Sequence, residues 1–390
     1  MNEKREVIVV GAGPAGAITA TLLAEMNHDV LILDKSAFPR EKICGDAVSA
    51  QVFELLNNIG LGEKIRETLA AGLFYPLRSM RLISPRGYQQ TYTLSNSKHN
   101  FCAAVAPRIH FDTLIQKQAI QAGAEFRQAR VESPLIENNR VTGINIIDDR
   151  GLKKVVKSAV VIGADGVASN LARILRRGRR HSKKHRALAL RAYAANFEIY
   201  SHEVEFYIYE EILPGYAWIF PLGENKANIG LGMRLDHYHR QPHNLKKMLH
   251  HFLELPLIKK RLMKNFELTE SAAWPLSFGS ELNLPYAFEG ALLVGDAGGF
   301  TSPLTGGGIH RSLLSGQLAA EILHEALNKG NLTLNTLAHY EVLCRKELLN
   351  SLRLTHHLAN LLLQFPFLVD FFVKSSRQDN LLTRIFAKKL

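Results

Sequence analysis

Cysteine is scarce in this sequence, and the features of a secreted chain are missing. The three cysteines, Cys44, Cys102 and Cys344, lie too far apart to suggest a disulfide framework or a zinc or iron–sulfur ligand set, so no metal site is expected. Charged residues 3–6 stand directly before a β-branched run, without the apolar segment and cleavage site of a secretory signal. These absences favour a protein of the reducing cytoplasm.

The composition is that of an ordinary globular protein. The 390 residues are 46% hydrophobic and 22% charged, which suits two domains or one domain with a large insertion. The net charge of +12 is concentrated in a basic run over residues 176–186. A solvated loop is the first interpretation of this run, and a patch for anionic lipid head groups or a diphosphate-bearing substrate is the second. Nucleic acid is not expected as a partner, because no aromatics interleave the charges.

A glycine cluster follows the first β-branched run, at residues 7–10, and a second apolar run ends at an aspartate. This order predicts a strand, a tight turn, a helix and a second strand, which together form a dinucleotide site. The first glycine allows the turn, the second lets the backbone approach a pyrophosphate, and the third lets the helix pack on the strand. The residues assigned to the cofactor from this unit are Gly11, Gly13, Pro14, Ala15, Gly16, Asp34 and Lys35.

Three later segments are similar to motifs of the p-hydroxybenzoate hydroxylase-like flavoproteins. Residues 161–170 resemble their GDG-type motif, residues 293–299 their GDA motif, and residues 108–114 their R-x-x-F/L-D-x-x-L pattern. This resemblance implies FAD as the cofactor, with Asp296 at the ribityl chain and Asp165 near the pyrophosphate. Arg108 would approach the FAD from outside the first unit, with a surface arginine as the alternative. The other residues assigned to the cofactor here are Gly295, Gly306, Gly307, Gly308 and Ile309.

Two further segments resemble motifs of the geranylgeranyl reductase family within that superfamily. Residues 40–46, R-E-K-I-C-G-D, are similar to its K-x-C-G motif, and residues 214–221, P-G-Y-A-W-I-F-P, to its P-x-x-Y-x-W-x-F-P motif. The family saturates carbon–carbon double bonds of isoprenoid chains. The resemblance implies that Cys44 and Gly45 lie near the flavin and that Cys44, Tyr216 and Trp218 are catalytic candidates. A small buried cysteine and a well-packed strand are the alternatives.

The expected function is an FAD-dependent oxidoreductase that reduces double bonds of an isoprenoid or similar hydrophobic substrate by hydride transfer from reduced flavin. NAD(P)H or a reduced electron carrier would be the donor. Tyr216, Trp218 and Pro221 also match the spacing of the halogenase motif W-x-W-x-I-P. The alternative is therefore a monooxygenase or halogenase that acts through a flavin hydroperoxide, and a carrier of hydrophobic ligands is a third interpretation.

The apolar tail, residues 357–373, is interrupted by a proline and an aspartate and is short for a membrane span. Helices that cover the core are the first interpretation of this tail. Peripheral contact with the cytoplasmic face of a membrane, which would suit a lipid-linked substrate, is the second.

The expected fold class is α/β, with a Rossmann-like FAD-binding domain, an inserted antiparallel-sheet substrate domain and a C-terminal helical segment. Residues 187–233 are strand-rich, and residues 203–209 alternate at period two. The predicted boundaries are 1–80, 100–180 and 285–330 for the FAD-binding domain, 81–99 and 181–284 for the substrate domain, and 331–390 for the helical region.

Overall fold

A computed structural model describes residues 3–94, 101–239, 244–281 and 283–375 of the chain. The strands are β1 (Glu3–Val10), β2 (Val30–Asp34), β3 (Ala47–Val48), β4 (Tyr75–Pro76), β5 (Ser79–Ile83), β6 (Gln89–Thr93), β7 (Ala104–Val105), β8 (Glu125–Glu137), β9 (Arg140–Asp148), β10 (Lys153–Gly163), β11 (Arg186–Phe197), β12 (Glu203–Tyr207), β13 (Tyr216–Gly223), β14 (Lys226–Arg234), β15 (Leu262–Leu268), β16 (Ala272–Ser277), β17 (Ala287–Phe288) and β18 (Ala291–Leu293). The helices are α1 (Pro14–Glu25), α2 (Ala50–Asn57), α3 (Gly62–Ala70), α4 (Arg108–Gln121), α5 (Asn170–Leu175), α6 (Leu235–Tyr238), α7 (Leu245–Glu254), α8 (Pro256–Lys259), α9 (Gly295–Gly298), α10 (Ile309–Asn328), α11 (Leu334–Cys344), α12 (Asn350–Gln364) and α13 (Phe367–Ser375).

The first three elements form the predicted strand–helix–strand unit. Strands β1 and β2 are parallel, and α1 begins with Pro14 directly after the glycine turn. Gly11 has a φ of 105°, and a Cβ at Gly16 would lie 1.9 Å from the Gly11 carbonyl oxygen. The turn and the close packing of α1 on β1 therefore both require glycine.

The first of the two main sheets has seven strands. Its parallel core places β1 between β2 and β10, with β8 beside β2 and β18 beside β10. Strand β9 runs antiparallel to both β8 and β10 and joins them. Helices α1 and α10 pack together on this sheet, and Gly316 of α10 approaches the α1 backbone so closely that a Cβ would lie 2.6 Å from the Ala15 oxygen.

The second sheet has the order β15, β11, β14, β13, β12, β5 and β6, with β16 also paired to β11. Its pairs are antiparallel apart from β5 and β12, which run in parallel although they come from distant parts of the chain. The short strands β3, β7 and β4 form a third sheet between the layers. This architecture confirms the predicted fold class, whereas the exact domain boundaries stay a prediction.

The period-two segment forms β12, but both of its faces are buried. Val204 and Phe206 pack under the C-terminal helices, and Tyr207 packs on Phe252 of α7. The carboxylates of Glu203 and Glu205 are buried too. Each accepts hydrogen bonds from a partner arginine, Glu203 from Arg81 at 2.6 Å and Glu205 from Arg261 at 2.8 Å. Sequence alternation here marks two interior faces rather than one interior and one solvent face.

The C-terminal helices cover the outer part of the second sheet. Helices α11 and α12 are joined by a π-helical turn over residues 345–349. Helix α13 then packs on the sheet, and its Asp370 carboxylate accepts hydrogen bonds from the Ser84 hydroxyl at 2.7 Å and the Arg86 amide at 2.9 Å. These bonds hold the helical segment to the β5–β6 turn.

Candidate active site

A cavity of about 630 Å³ lies where the two sheets meet, which is within the size range of small-molecule sites. Almost every residue that the sequence assigned to the cofactor or to catalysis lines it. Gly16 and Gly295 lie just behind the wall, where a Cβ at Gly295 would come within 2.8 Å of the Ala15 side chain. The structure thus brings together residues from positions 11 to 309, although their individual roles stay predictions.

One end of the cavity is suited to phosphate groups. Helix α1 points its N-terminus there, and a Cβ built on Gly13 would approach only the Arg40 guanidinium, at 3.8 Å. The Asp34 carboxylate accepts hydrogen bonds from the Ala12 amide at 3.0 Å and the Ser36 amide at 2.9 Å. Free amide groups and an open glycine face are what a pyrophosphate needs, and the carboxylate at the end of β2 suits a ribose.

Arg108 is buried rather than a surface arginine. Its guanidinium donates two hydrogen bonds to the Asp112 carboxylate, at 2.5 and 2.7 Å, one turn further along α4. Burial alone would lower the pKa of Arg108, but the Asp112 carboxylate outweighs it and raises that pKa. Arg40 reaches the same carboxylate at 3.1 Å. The Asp112 carboxylate therefore holds the guanidinium groups of Arg108 and Arg40 in the cavity wall. The sequence motif includes Asp112 but did not indicate this role.

Both aspartates of the later motifs line the cavity. Asp165 is half-buried; it accepts a hydrogen bond from the Asn170 amide at 3.1 Å, and burial raises its pKa. Asp296 accepts one from the Thr301 hydroxyl at 3.2 Å and has the Lys42 ammonium 3.8 Å away. Burial lowers the pKa of Lys42. The position of Asp296 beside a half-buried lysine was not foreseen from the sequence.

The far end of the cavity is aromatic. Tyr216 packs edge-on to Trp218, and Trp218 stacks on Phe220 with ring centroids 5.9 Å apart. A Cβ at Gly45 would come within 3.1 Å of the Phe220 ring, so the K-x-C-G segment lies directly against this cluster. The Tyr216 hydroxyl donates to the Thr305 carbonyl oxygen, and burial raises its pKa. That hydroxyl is thus a weak acid whose proton is already engaged.

Sequence reasoning missed a polar group behind these aromatics. The Trp218 indole donates to the Asn228 side-chain oxygen at 3.0 Å, and the Asn228 amide donates to the Cys44 carbonyl oxygen at 2.8 Å and to the Asp46 carboxylate at 2.9 Å. Asp46 was visible only as the last letter of the R-E-K-I-C-G-D segment, and nothing in the sequence pointed to Asn228. This group fixes Cys44 and Trp218 relative to each other.

The basic run at 176–186 is not a uniformly solvated loop. Arg176 is buried, its guanidinium lies over the Tyr286 ring, and it donates to the carbonyl oxygens of Pro285 at 3.0 Å and Gly298 at 3.2 Å. It thereby ties this segment to the end of α9, in the GDA motif. The arginines and lysines at 177, 179, 180, 183 and 184 are exposed.

Comparisons with known proteins place the chain in a family. The model of the FAD binding domain matches residues 4–346. Two curated relatives, digeranylgeranylglycerophospholipid reductase 2 of Methanococcoides burtonii and of Methanopyrus kandleri, are 32% and 31% identical to this chain. The alignments cover 90% and 86% of this chain and 84% and 81% of the relatives. The chain belongs to the geranylgeranyl reductase family of FAD-dependent oxidoreductases.

Solved structures share the same fold. A geranylgeranyl bacteriochlorophyll reductase-like protein from Thermoplasma acidophilum has a TM-score of 0.84 at 24% identity, over 99% of this chain and 96% of that one. A flavin-dependent brominase has a TM-score of 0.79 at 18% identity, over 98% and 93%. At these identities the likeness concerns the fold alone. The predicted family, cofactor and enzyme class are confirmed, and the halogenase alternative is less well supported than the reductase.

The features of the cavity itself fit FAD, the cofactor of this family. It has an open glycine face at the α1 N-terminus, a carboxylate at the end of β2 and a second helix N-terminus, that of α10, preceded by Gly306 to Gly308. The residues predicted to hold FAD border this cavity together with Arg40 and Lys42, and their individual roles stay predictions.

Proposed function

We propose that this reductase hydrogenates carbon–carbon double bonds of a prenyl chain carried by a lipid. FAD supplies the hydride when it is bound and reduced. The observation that carries the proposal is the aromatic end of the 630 Å³ cavity, which continues past Phe206, Tyr216 and Leu304 into a small apolar pocket of about 40 Å³. Leu362 of α12 and Val369 of α13 close its other side. The small pocket is not large enough for a chain of isoprene units, so most of a prenyl chain would lie along the aromatic end of the main cavity.

The aromatic side chains and the K-x-C-G segment would have separate roles in the reaction. Trp218, held by Asn228, would keep the prenyl chain flat against the reacting face, because its ring cannot turn without breaking a buried hydrogen bond. Tyr216 would position the loop at Thr305 rather than give up its proton. Cys44, beside the aromatic end of the cavity, would then provide the proton for the second carbon.

The test is an anaerobic single turnover. Protein loaded with FAD and reduced by dithionite is mixed with a digeranylgeranylglycerophospholipid in detergent, and lipid products are measured by mass spectrometry. We expect reoxidation of the flavin together with a gain of two hydrogens per reduced double bond. No mass gain with this lipid or with free geranylgeranyl compounds would refute the proposal. Oxygen uptake that depends on substrate and gives an oxygenated or halogenated lipid would instead favour the monooxygenase or halogenase.

We also propose that the C-terminal helices rest on the cytoplasmic face of a membrane. Among the described residues no single helix is long and apolar enough to span a bilayer, while residues 334–364 and 367–374 meet length and composition limits only as a pair bent by 105°. The outer surfaces of α12 and α13 expose Leu354, Phe367 and Phe371 by 67%, 56% and 62%. These apolar side chains lie on the same helices that close the apolar pocket, so a bilayer there would lie next to the lipid-binding end.

A flotation assay with vesicles that contain phosphatidylglycerol tests this contact. Phe367→Ser combined with Phe371→Ser should lower the bound fraction about tenfold or more, because each ring contributes on the order of 1.5 kcal/mol when buried. Leu152→Ser, at an exposed leucine on the β9–β10 turn, is the matched control. Equal binding of both variants and the parent protein would contradict the contact.

A further inference from the structure

Asp46 has a buried carboxyl group in the cavity wall, and the reaction as proposed above assigns it no role. Its side chain is fully buried, and its backbone lies in the left-handed region with a φ of 65°. One oxygen, Oδ2, accepts hydrogen bonds from the Tyr193 hydroxyl at 2.8 Å and the Asn228 amide at 2.9 Å. The other, Oδ1, is buried without a hydrogen-bond partner among the described residues. A carboxyl group in this state is costly unless the site uses it.

Asp46 is also coupled to Cys44. The Asp46 amide donates a hydrogen bond to the Cys44 sulfur at 3.3 Å, and Asn228 contacts both the Cys44 carbonyl oxygen and the Asp46 carboxylate. Both residues border the cavity. A change of charge on Asp46 therefore acts directly on the thiol of Cys44.

On the side away from Cys44, the contacts of Asp46 run through Tyr193 toward solvent. Tyr193 lies on β11 and is only half-buried, with the Arg191 guanidinium 4.0 Å above its ring. Arg191 in turn reaches the carboxylate of Glu41 at 3.4 Å, and Glu41 is exposed. The phenol hydroxyl thus stands between the buried carboxyl group and the outer surface of the protein.

The groups that face Asp46 leave its proton exchangeable. Burial raises the pKa of Asp46 to about 6, and hydrogen bonds from Tyr193 and Asn228, with the positive charges of Arg108 on α4 and Arg191 on β11, oppose part of that rise. Neither arginine forms an ion pair with this carboxylate in the described part of the chain. Asp46 therefore lacks the paired arginines that contact the Asp112 carboxylate.

We infer that Asp46 and Tyr193 form the route by which protons from solvent restore the acid of the cavity after each reduction. The inference rests on the proposed reductase function. In one turnover the π bond breaks, one carbon accepts a hydride with its electron pair from reduced flavin, and the other takes the proton of the Cys44 thiol. The thiolate recovers a proton from the Asp46 carboxyl group, and Asp46 is reprotonated from solvent through Tyr193. Asp46 is thus a positioning and relay residue, and its proton passes through another group.

The first test follows reduction of the prenyl lipid as a function of pH, with excess dithionite for many turnovers and with pre-reduced enzyme alone for the first turnover. In the parent protein the multiple-turnover rate should fall as the pH rises above about 6, where Asp46 loses its proton. Asp46→Asn should slow multiple-turnover reduction by at least about tenfold and abolish that pH dependence, with the content of bound FAD unchanged. Tyr193→Phe keeps the carboxyl group but cuts the route, so it should slow turnover and leave the first turnover fast. Asp149→Asn, at an exposed hairpin residue away from the cavity, is the control.

A second test needs no prenyl substrate. The rate at which iodoacetamide alkylates Cys44, measured on its peptide by mass spectrometry, reports the thiolate fraction at each pH. The alkylation rate of the parent protein should show an inflection near pH 6, and that of Asp46→Asn should lack it. Identical profiles in the two proteins, or a uniform rate loss in Asp46→Asn with the pH dependence retained, would overturn the inference. If no prenyl lipid reoxidises the parent enzyme, the function fails, while the alkylation profile still decides the coupling.

Discussion

Replacing Asp112 with asparagine should damage both the fold and the cofactor site. The substitution keeps the shape of the side chain but removes the charge that Arg108 contacts at 2.5 and 2.7 Å and that Arg40 contacts at 3.1 Å. Both members of the Arg108–Asp112 pair are almost fully buried. The arginine would remain in the wall of the cavity as a buried cation without its counter-charge.

The expected loss follows from that burial. Breaking a buried ion pair from one side lowers the free energy of unfolding by about 3–5 kcal/mol, because the remaining charge keeps its desolvation penalty. Glu325 and Lys329 on α10 have the same spacing, i and i+4, at 3.5 Å, but their side chains are about 70% exposed. Glu325→Gln should therefore lower the free energy of unfolding by no more than about 0.5 kcal/mol. The two ion pairs that these substitutions break differ chiefly in how deeply they are buried.

Urea unfolding of the apoprotein, followed by circular dichroism, measures both free energies, and titration with FAD measures the affinity. Asp112→Asn should weaken FAD binding by at least about tenfold, since a misplaced Arg108 corresponds to 1.4 kcal/mol or more. Exchanging the pair together, Arg108→Met with Asp112→Leu, should recover most of the stability but none of the affinity. A loss below about 1 kcal/mol for Asp112→Asn, or equal losses for it and Glu325→Gln, would refute the reasoning.

Three further outcomes can be checked on the same protein. Gly13→Ala should leave the melting temperature of the apoprotein nearly unchanged and abolish FAD retention, whereas Gly16→Ala should prevent folding, because its Cβ would lie 1.9 Å from a carbonyl oxygen. Tyr216→Phe should lower turnover by no more than about tenfold and Cys44→Ala by about 100-fold, as measured by lipid reduction, if the thiol is the acid. Protonated Asp46 should contribute about 3 kcal/mol to the free energy of unfolding, because its pKa is raised from 3.8 to about 6. This contribution should be fully present below pH 4 and lost as the pH rises through 6. Unfolding of Asp46→Asn at pH 4 and 7 should lack this change.

The cofactor half of the site could be predicted from the sequence because its chemistry depends on local backbone geometry. A tight turn, an open glycine face and a carboxylate at a strand end each need a particular residue at a particular spacing, as Gly11, Gly13 and Asp34 show. The parallel strands then bring these residues to one edge without help from distant contacts.

The proton route could not be predicted in the same way. Tyr193 and Asn228 face Asp46 only because β11 and β14 pair in the register that places these two residues opposite each other. That register depends on how the whole second sheet packs, and no short motif encodes it. The buried partners of Arg108 and Arg176 were missed for a related reason, since charge patterns in a sequence do not report burial.

Six of the eight strands of the second sheet, β11 to β16, lie within a single connection of the first sheet. Parallel strands β10 and β18 are direct neighbours, with Gly163 opposite Leu293, and residues 164–290 run between them. A crossover of about a dozen residues would suffice to join such strands. The six strands are therefore not needed to join β10 to β18. Exchange of these strands between relatives, with the ends of the connection and the β5–β6 hairpin kept, is a route to new substrates in which the parallel sheet is retained.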